Sequence, residues 1–349
     1  MERLFPCGAS VFLPDNAPVS GILGAAKYLS RRRSLGSAWI FPGQGSQAVG
    51  MGRDLYDQFP ASRAIFEEAD EVLGFALSRL CFEGPAEALT ATENAQPALL
   101  TTSVAVLAAL GWDSQAGVEE APGFTAPALV AGHSLGEYSA LIAARALSFA
   151  TALRLVRRRG ELMAEATEGT MAAIIGLDVD RLEAVCAEAR AVGPVVIANE
   201  NAPGQLVISG AGDAVARVGD LARQAGASRV MPLKVSAAFH SPLMAGAAES
   251  LREAIQQAAV QPAVIPVVAN VTAEPIVDVE QIRAELIRQV TAPVRWIATI
   301  QYMAGAGVDQ FVELGPGTVL AGLVKRIVPG ASRVSIGDAG AVQKFLNPS

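Results

Sequence analysis

Pro127-Ala128-Leu129-Val130-Ala131-Gly132-His133-Ser134-Leu135-Gly136-Glu137 is the stretch on which the fold turns. It opens with an apolar run between a proline and a glycine, short enough for one strand of a parallel sheet buried on both faces. From Glu137 to about Leu147 the apolar residues recur with helical spacing. Strand, tight turn and helix in that order form the unit of an α/β fold. The turn itself, Gly132-His133-Ser134-Leu135-Gly136, has the form Gly-x-Ser-x-Gly. In this context that form predicts a nucleophile elbow, where small flanking residues let the chain reverse sharply and project the serine hydroxyl. The helix beyond it begins with N–H groups that have no intrahelical acceptor, so the N–H of Leu135 is expected to face a developing oxyanion.

A serine hydroxyl needs a base. The chain has two histidines, His133 and His240. His133 adjoins the serine, and on an elbow its side chain points away from that of Ser134. The base is therefore expected to be His240, in Ser236-Ala237-Ala238-Phe239-His240-Ser241-Pro242.

Upstream, Ala38-Trp39-Ile40-Phe41 reads as a buried strand entering the turn Pro42-Gly43-Gln44-Gly45-Ser46-Gln47. Gly43-Gln44-Gly45-Ser46-Gln47-Ala48 also fits a dinucleotide fingerprint, with Glu67, Glu68 and Asp70 downstream. The polar Gln44, Ser46 and Gln47 crowd the space a pyrophosphate would need, and no Gly-Lys-Ser/Thr follows, so neither nucleotide motif is adopted. Helical spacing covers 61–73, 96–110 and 149–165. Downstream, strands at 171–176, 195–198, 205–209 and 229–233 alternate with helices at 180–191 and 213–225. That order, βαββαβ, is ferredoxin-like. A helix at 241–258, a strand at 264–268, further helices and a strand at 309–313 complete the pattern. The expected fold is therefore an α/β-hydrolase-like domain with a parallel-sheet core, residues 38–168 and 236–345, interrupted by a ferredoxin-like subdomain at 169–235.

Residues 1–37 stand apart, with the basic run Lys27-Tyr28-Leu29-Ser30-Arg31-Arg32-Arg33-Ser34. An organelle transit peptide, a leader from a misplaced start codon and a plain extension all fit. Across its 349 residues the chain is 51% hydrophobic and 17% charged. Its mean hydropathy is +0.36. No apolar stretch approaches the ~18–20 residues of a membrane span, so the excess belongs to a large core. A formal charge of −7 gives no reason to expect nucleic-acid binding. Cys7, Cys81 and Cys186 are scattered, which suits a reducing compartment.

Four motifs in order, Phe41-Pro42-Gly43-Gln44-Gly45-Ser46-Gln47, Gly132-His133-Ser134-Leu135-Gly136-Glu137, Ala238-Phe239-His240-Ser241 and Glu313-Leu314-Gly315-Pro316-Gly317, resemble the malonyl-CoA:acyl-carrier-protein transacylase family. That family includes stand-alone enzymes of fatty-acid synthesis and acyltransferases of polyketide assembly. The likeness runs from about Ala38 to Ser335. It implies Ser134 as nucleophile and His240 as base, with Gln44 and the N–H of Leu135 as oxyanion hole. The Gln289 backbone carbonyl would orient His240, so no aspartate is needed. Arg159, in Arg157-Arg158-Arg159-Gly160, would grip the free carboxylate of malonate, while Phe239, Met163 and His133 would line the acyl site. Asn199 and Asn201 match a segment near the site without an assigned role. Arg145 and Ala237 stand where the family commonly has glycine.

The expected mechanism needs no metal or redox cofactor, nothing in the sequence demands more than a monomer, and the expected setting is the cytoplasm, or an organelle matrix if 1–37 is a transit peptide. The resemblance implies malonyl-CoA and an acyl carrier protein as partners, with Arg283, Arg288, Lys325 and Arg326 as candidate docking cations. An acyl hydrolase on the same fold and an idle carrier-binding module are the rival readings.

Overall fold

The computed structural model describes residues 36–112, 126–235 and 237–347. The expected extension at 1–37 lies outside these residues, save for Gly36 and Ser37, which begin the first strand. In chain order the strands are β1 (Gly36–Phe41), β2 (Leu129–Gly132), β3 (Thr170–Ile175), β4 (Val195–Ala202), β5 (Gln205–Gly210), β6 (Arg229–Pro232), β7 (Val267–Val268), β8 (Pro275–Ile276), β9 (Val308–Leu314) and β10 (Ser332–Ile336). The helices that bear on the site are α1 (Thr92–Ala109), α2 (Gly136–Ala143), α3 (Phe149–Glu165), α4 (Val179–Ala189), α5 (Gly212–Gln224) and α6 (Val279–Gln289).

The larger sheet has the order β10-β9-β1-β2-β7-β8. It is parallel except at its β7–β8 edge. β1 lies at its centre, and its side chains alternate between faces. Trp39 and Phe41 enter the main core, and Ala38 and Ile40 pack into a second core on the opposite face. Burial on both faces is why these strands read as continuous apolar runs.

The smaller sheet is antiparallel with the order β4-β5-β3-β6, the ferredoxin-like arrangement expected from βαββαβ. Ala172, Ile174, Leu206 and Ile208 pack with Leu182 and Cys186 of α4 and with Val215 and Val218 of α5. The other face sends Met171, Ala173 and Val207 into the main core.

β4 runs on to Ala202 rather than 198, α1 begins at Thr92 rather than 96, and the helix expected from 241 begins at Ala245; two further differences have a local cause. The strand expected over 264–268 contracts to Val267–Val268, because Pro266 has no N–H to donate. The N–H groups of Ala263 and Val264 are spent on the carbonyls of Val277 and Ala144, 2.9 Å each. The helix after Ser134 stops at Ala143 rather than near Leu147. Arg145 there takes φ 60°, with its N–H on the Ile142 carbonyl and that of Ala146 on the Leu141 carbonyl. This is a Schellman cap with arginine in the position that usually holds glycine. Cys81 and Cys186 are free and buried, and burial pushes both thiols up to about 12. Among the described residues, no helix is long and apolar enough to cross a membrane.

Candidate active site

Ser134 sits between β2 and α2 with φ 51°, a left-handed conformation for a non-glycine residue. The two flanking glycines are required by close approach. A Cβ on Gly132 would lie 1.9 Å from the Gly136 carbonyl, and one on Gly136 would lie 2.1 Å from the Phe41 carbonyl oxygen. The elbow is thus pressed against the end of β1, and the His133 N–H reaches the Phe41 carbonyl at 3.0 Å. The Gln44 loop packs on the same turn, since a Cβ on Gly43 would meet the His133 carbonyl oxygen at 2.4 Å. The backbone N–H groups of Gln44 and Leu135 donate to no acceptor among the described residues.

Ser134 Oγ lies 2.7 Å from His240 Nε2. His240 is 4% exposed and also left-handed, at φ 56°. Its Nδ1–H donates to the Gln289 carbonyl at 2.8 Å and to the Ala292 carbonyl at 3.2 Å. That tautomer leaves the Nε2 lone pair to accept the serine proton. Burial and then the charge of Arg159 lower the His240 pKa to about 3, so the ring is neutral at pH 7.

Arg159 is 1% exposed and projects from α3. Its helix comes close to the start of α1 at Gly160, where a Cβ would lie 2.7 Å from the Glu93 Cα. The guanidinium donates to Gln96 Oε1 at 2.7 Å, Gln289 Oε1 at 3.0 Å and Ser134 Oγ at 3.1 Å. All three acceptors are neutral, and Nε has no partner among the described residues. Burial therefore works against the cation and lowers its pKa. Gln96 also donates to Thr92 Oγ1 and Met163 Sδ, and Thr92 in turn donates to Gln44 Oε1.

Beneath the elbow lies a polar layer that the sequence reading missed. Asn270, fully buried, accepts the Ser134 N–H on Oδ1 at 2.8 Å and donates from Nδ2 to the Gly132 carbonyl at 2.7 Å. Glu137, also fully buried, accepts the Asn270 N–H at 2.9 Å on one oxygen and the Gln289 side-chain amide on the other. Burial and the neighbouring Glu285 push the Glu137 carboxyl well above the usual carboxylate range.

The remaining expected site residues take the following positions. Phe239 and Met163 are buried in the main core, at 7% and 2% exposure. The His133 ring is turned to Asn201, with Nε2 2.8 Å from Oδ1, and stacks edge-on to Trp296. Asn199 is buried on β4 and forms a parallel bridge with Val294, whose hydrogen bonds run to the Ala198 carbonyl and from the Glu200 N–H on either side of it. Of the expected docking cations, Arg283 is engaged by Glu280 and Arg326 by the Gln205 side chain and the Pro203 carbonyl.

The fold and this geometry define a class, α/β proteins with a serine–histidine pair at a strand–helix elbow and a ferredoxin-like second sheet. The family model described as "Acyl transferase domain" matches residues 38–339, and the chain belongs to that family. It is 47% identical over 310 residues to the malonyl CoA-acyl carrier protein transacylase of Bacillus subtilis, covering 88% of this chain and 95% of the relative. To the enzyme of the same name from Escherichia coli it is 44% identical over 315 residues, covering 88% and 98%. Among solved structures it is similar to an acyl-carrier-protein S-malonyltransferase from Burkholderia pseudomallei, with a TM-score of 0.84, 42% identity and coverage of 89% and 99%. It is similar also to a malonyl-transacylase in complex with a type II polyketide-synthase acyl-carrier protein, with a TM-score of 0.83, 43% identity and coverage of 89% and 98%.

Proposed function

We propose that the chain transfers a malonyl group from malonyl-CoA to the phosphopantetheine thiol of an acyl carrier protein. The observation that carries this reading is Arg159, a buried cation bonded to the Ser134 hydroxyl and surrounded by neutral acceptors only. Such a group is stabilised by a substrate that brings its own carboxylate, which a planar guanidinium grips bidentately. An acetyl group leaves the cation without an ionic partner. The names of the similar enzymes support the same substrate and acceptor.

In this reading His240 removes the Ser134 proton as Oγ attacks the thioester carbonyl carbon. The oxyanion of the tetrahedral intermediate accepts from the N–H groups of Leu135 and Gln44. The C–S bond breaks, His240 returns the proton to the departing CoA thiolate, and a malonyl-Ser134 ester remains. The carrier thiol then gives its proton to His240, attacks the ester carbon, and releases Ser134 as the neutral alcohol. Phe239 crowds the acyl α-carbon, and Met163 and His133 complete the pocket wall. An extra methyl there is resisted by only ~1–3 kcal/mol. Residues 38–168 and 236–345 form the catalytic domain, and 169–235 the smaller one. The cycle consumes no cofactor, and its setting is the cytoplasm.

The test is intact mass after incubation with malonyl-CoA or acetyl-CoA, followed by addition of a carrier protein. A malonyl adduct is expected on the native protein, absent in Ser134→Ala and passed to the carrier. Arg159→Ala should cut the malonyl-over-acetyl preference by about 10–100-fold, the value of a charge-assisted hydrogen bond. Rapid release of free malonate without transfer would overturn the reading in favour of a hydrolase.

A further inference from the structure

Gln289 holds the base through its backbone carbonyl, and its fully buried side chain makes three bonds of its own. Its Oε1 accepts from Arg159 Nη2 at 3.0 Å, while its Nε2 donates to the Ser134 carbonyl at 3.0 Å and to Glu137 Oε2. The amide can point only one way. A guanidinium has donors alone, and a carbonyl faces the other end together with a carboxyl oxygen, so oxygen must meet arginine and nitrogen must meet the acceptors. Gln289 therefore stands between a buried cation and the carboxyl of Glu137.

We infer that the Gln289 side chain is specificity-determining: as a neutral spacer it keeps Arg159 out of an internal ion pair with Glu137, so the guanidinium stays available to a substrate carboxylate. This rests on the malonyl-transfer reading. A direct arginine–carboxylate pair inside the protein would be charge-assisted and desolvated. The substrate would then have to displace it before it could gain anything from Arg159. With an amide between the charges, Arg159 is oriented by Glu137 at one remove and keeps only neutral bonds, which a carboxylate replaces with profit. The spacer also ties this choice to the chemistry, because the same residue holds the nucleophile's carbonyl through its side chain and the base through its backbone.

Two substitutions at this position test the idea. Gln289→Glu puts a carboxylate directly against Arg159, and Gln289→Leu removes the spacer and leaves Arg159 facing Glu137. For each variant and the native enzyme, rates of acyl-enzyme formation from malonyl-CoA and from acetyl-CoA are measured, with an unfolding midpoint to confirm a folded state. The malonyl-over-acetyl ratio should fall by about 10–100-fold in both variants. Because the ratio is taken within one protein, a smaller folded fraction or a misplaced base affects both substrates and cancels. A ratio unchanged in either folded variant would overturn the inference. A native enzyme with no malonyl preference would instead overturn the reading on which it rests.

Discussion

At Ser134 and at His240 the backbone enters the left-handed region, with φ 51° and 56°, and each residue stores on the order of 1–2 kcal/mol of strain there. The two turns are held in different ways. Around Ser134 close packing adds to polar support: Gly132 and Gly136 let β1, the turn and α2 come into backbone contact, above the bonds from Asn270 and Gln289 to the Ser134 backbone. Around His240 the restraints are distant and polar, for the ring is held by the carbonyls of Gln289 and Ala292 at the far end of α6. The nucleophile depends in addition on what its neighbours lack, and the base on what remote residues supply. A steric restraint fails when one atom is added, whereas a neutral ring buried beside Arg159 is destabilised when a proton is added.

The largest expected effect therefore belongs to the steric side. Gly136→Ala drives a Cβ to 2.1 Å from the Phe41 carbonyl oxygen, backbone against backbone. Urea unfolding should show a loss of at least about 3 kcal/mol, above the usual range for overpacking because no flexible side chain can yield. A loss under ~1 kcal/mol would mean that close approach does not hold the elbow.

Next comes the protonation of the base. The folded His240 pKa, at about 3, lies below the unfolded value of 6.5, so between these limits the unfolded chain binds the extra proton. This contribution to stability is complete above pH 6.5 and is lost as pH falls toward 3. Measured against His240→Gln, the native protein should lose about 1.4 kcal/mol per pH unit inside that window. Parallel pH curves for the two proteins would show that His240 is not held neutral, and the contrast between the turns would fail.

Arg145 gives the smallest effect and a control for both. It is left-handed like the other two and caps the helix that follows the nucleophile. Arg145→Gly should raise stability by about 1 kcal/mol, readable as a higher thermal midpoint, because glycine accepts that conformation without strain. A drop would mean that the arginine side chain offsets its own backbone cost.

The difference between the turns also explains what could be read from the sequence. Ser134 is legible because strand, glycines and helix are contiguous, and His240 because only two histidines exist. The ferredoxin-like order was equally plain, since each of its elements carries its own periodicity. Asn270 was not legible: it follows a two-residue strand and belongs to no motif or repeating pattern. Glu137 closes one of the family motifs, but nothing local reveals that its carboxyl meets Asn270 and Gln289. Gln96 left a faint mark, a fully buried amide within the largely apolar α1. Long-range polar pairing leaves no period in a sequence, so it is the part that only three dimensions supply.

The segment 292–295 joins matters that seem separate. Ala292 offers a carbonyl to His240, and Val294 exchanges backbone hydrogen bonds with Ala198 and Glu200 of β4. The Arg295 N–H then closes on the Asn270 carbonyl. Four consecutive residues thus stitch the small sheet, the base and the layer under the nucleophile into one fabric. For anyone grafting the small sheet from one relative onto another, the cut points suggested by the chain's covalent order are misleading. A graft that changes β4 without this partner segment unpicks the support of the base, however faithfully Ser134 and His240 themselves are kept.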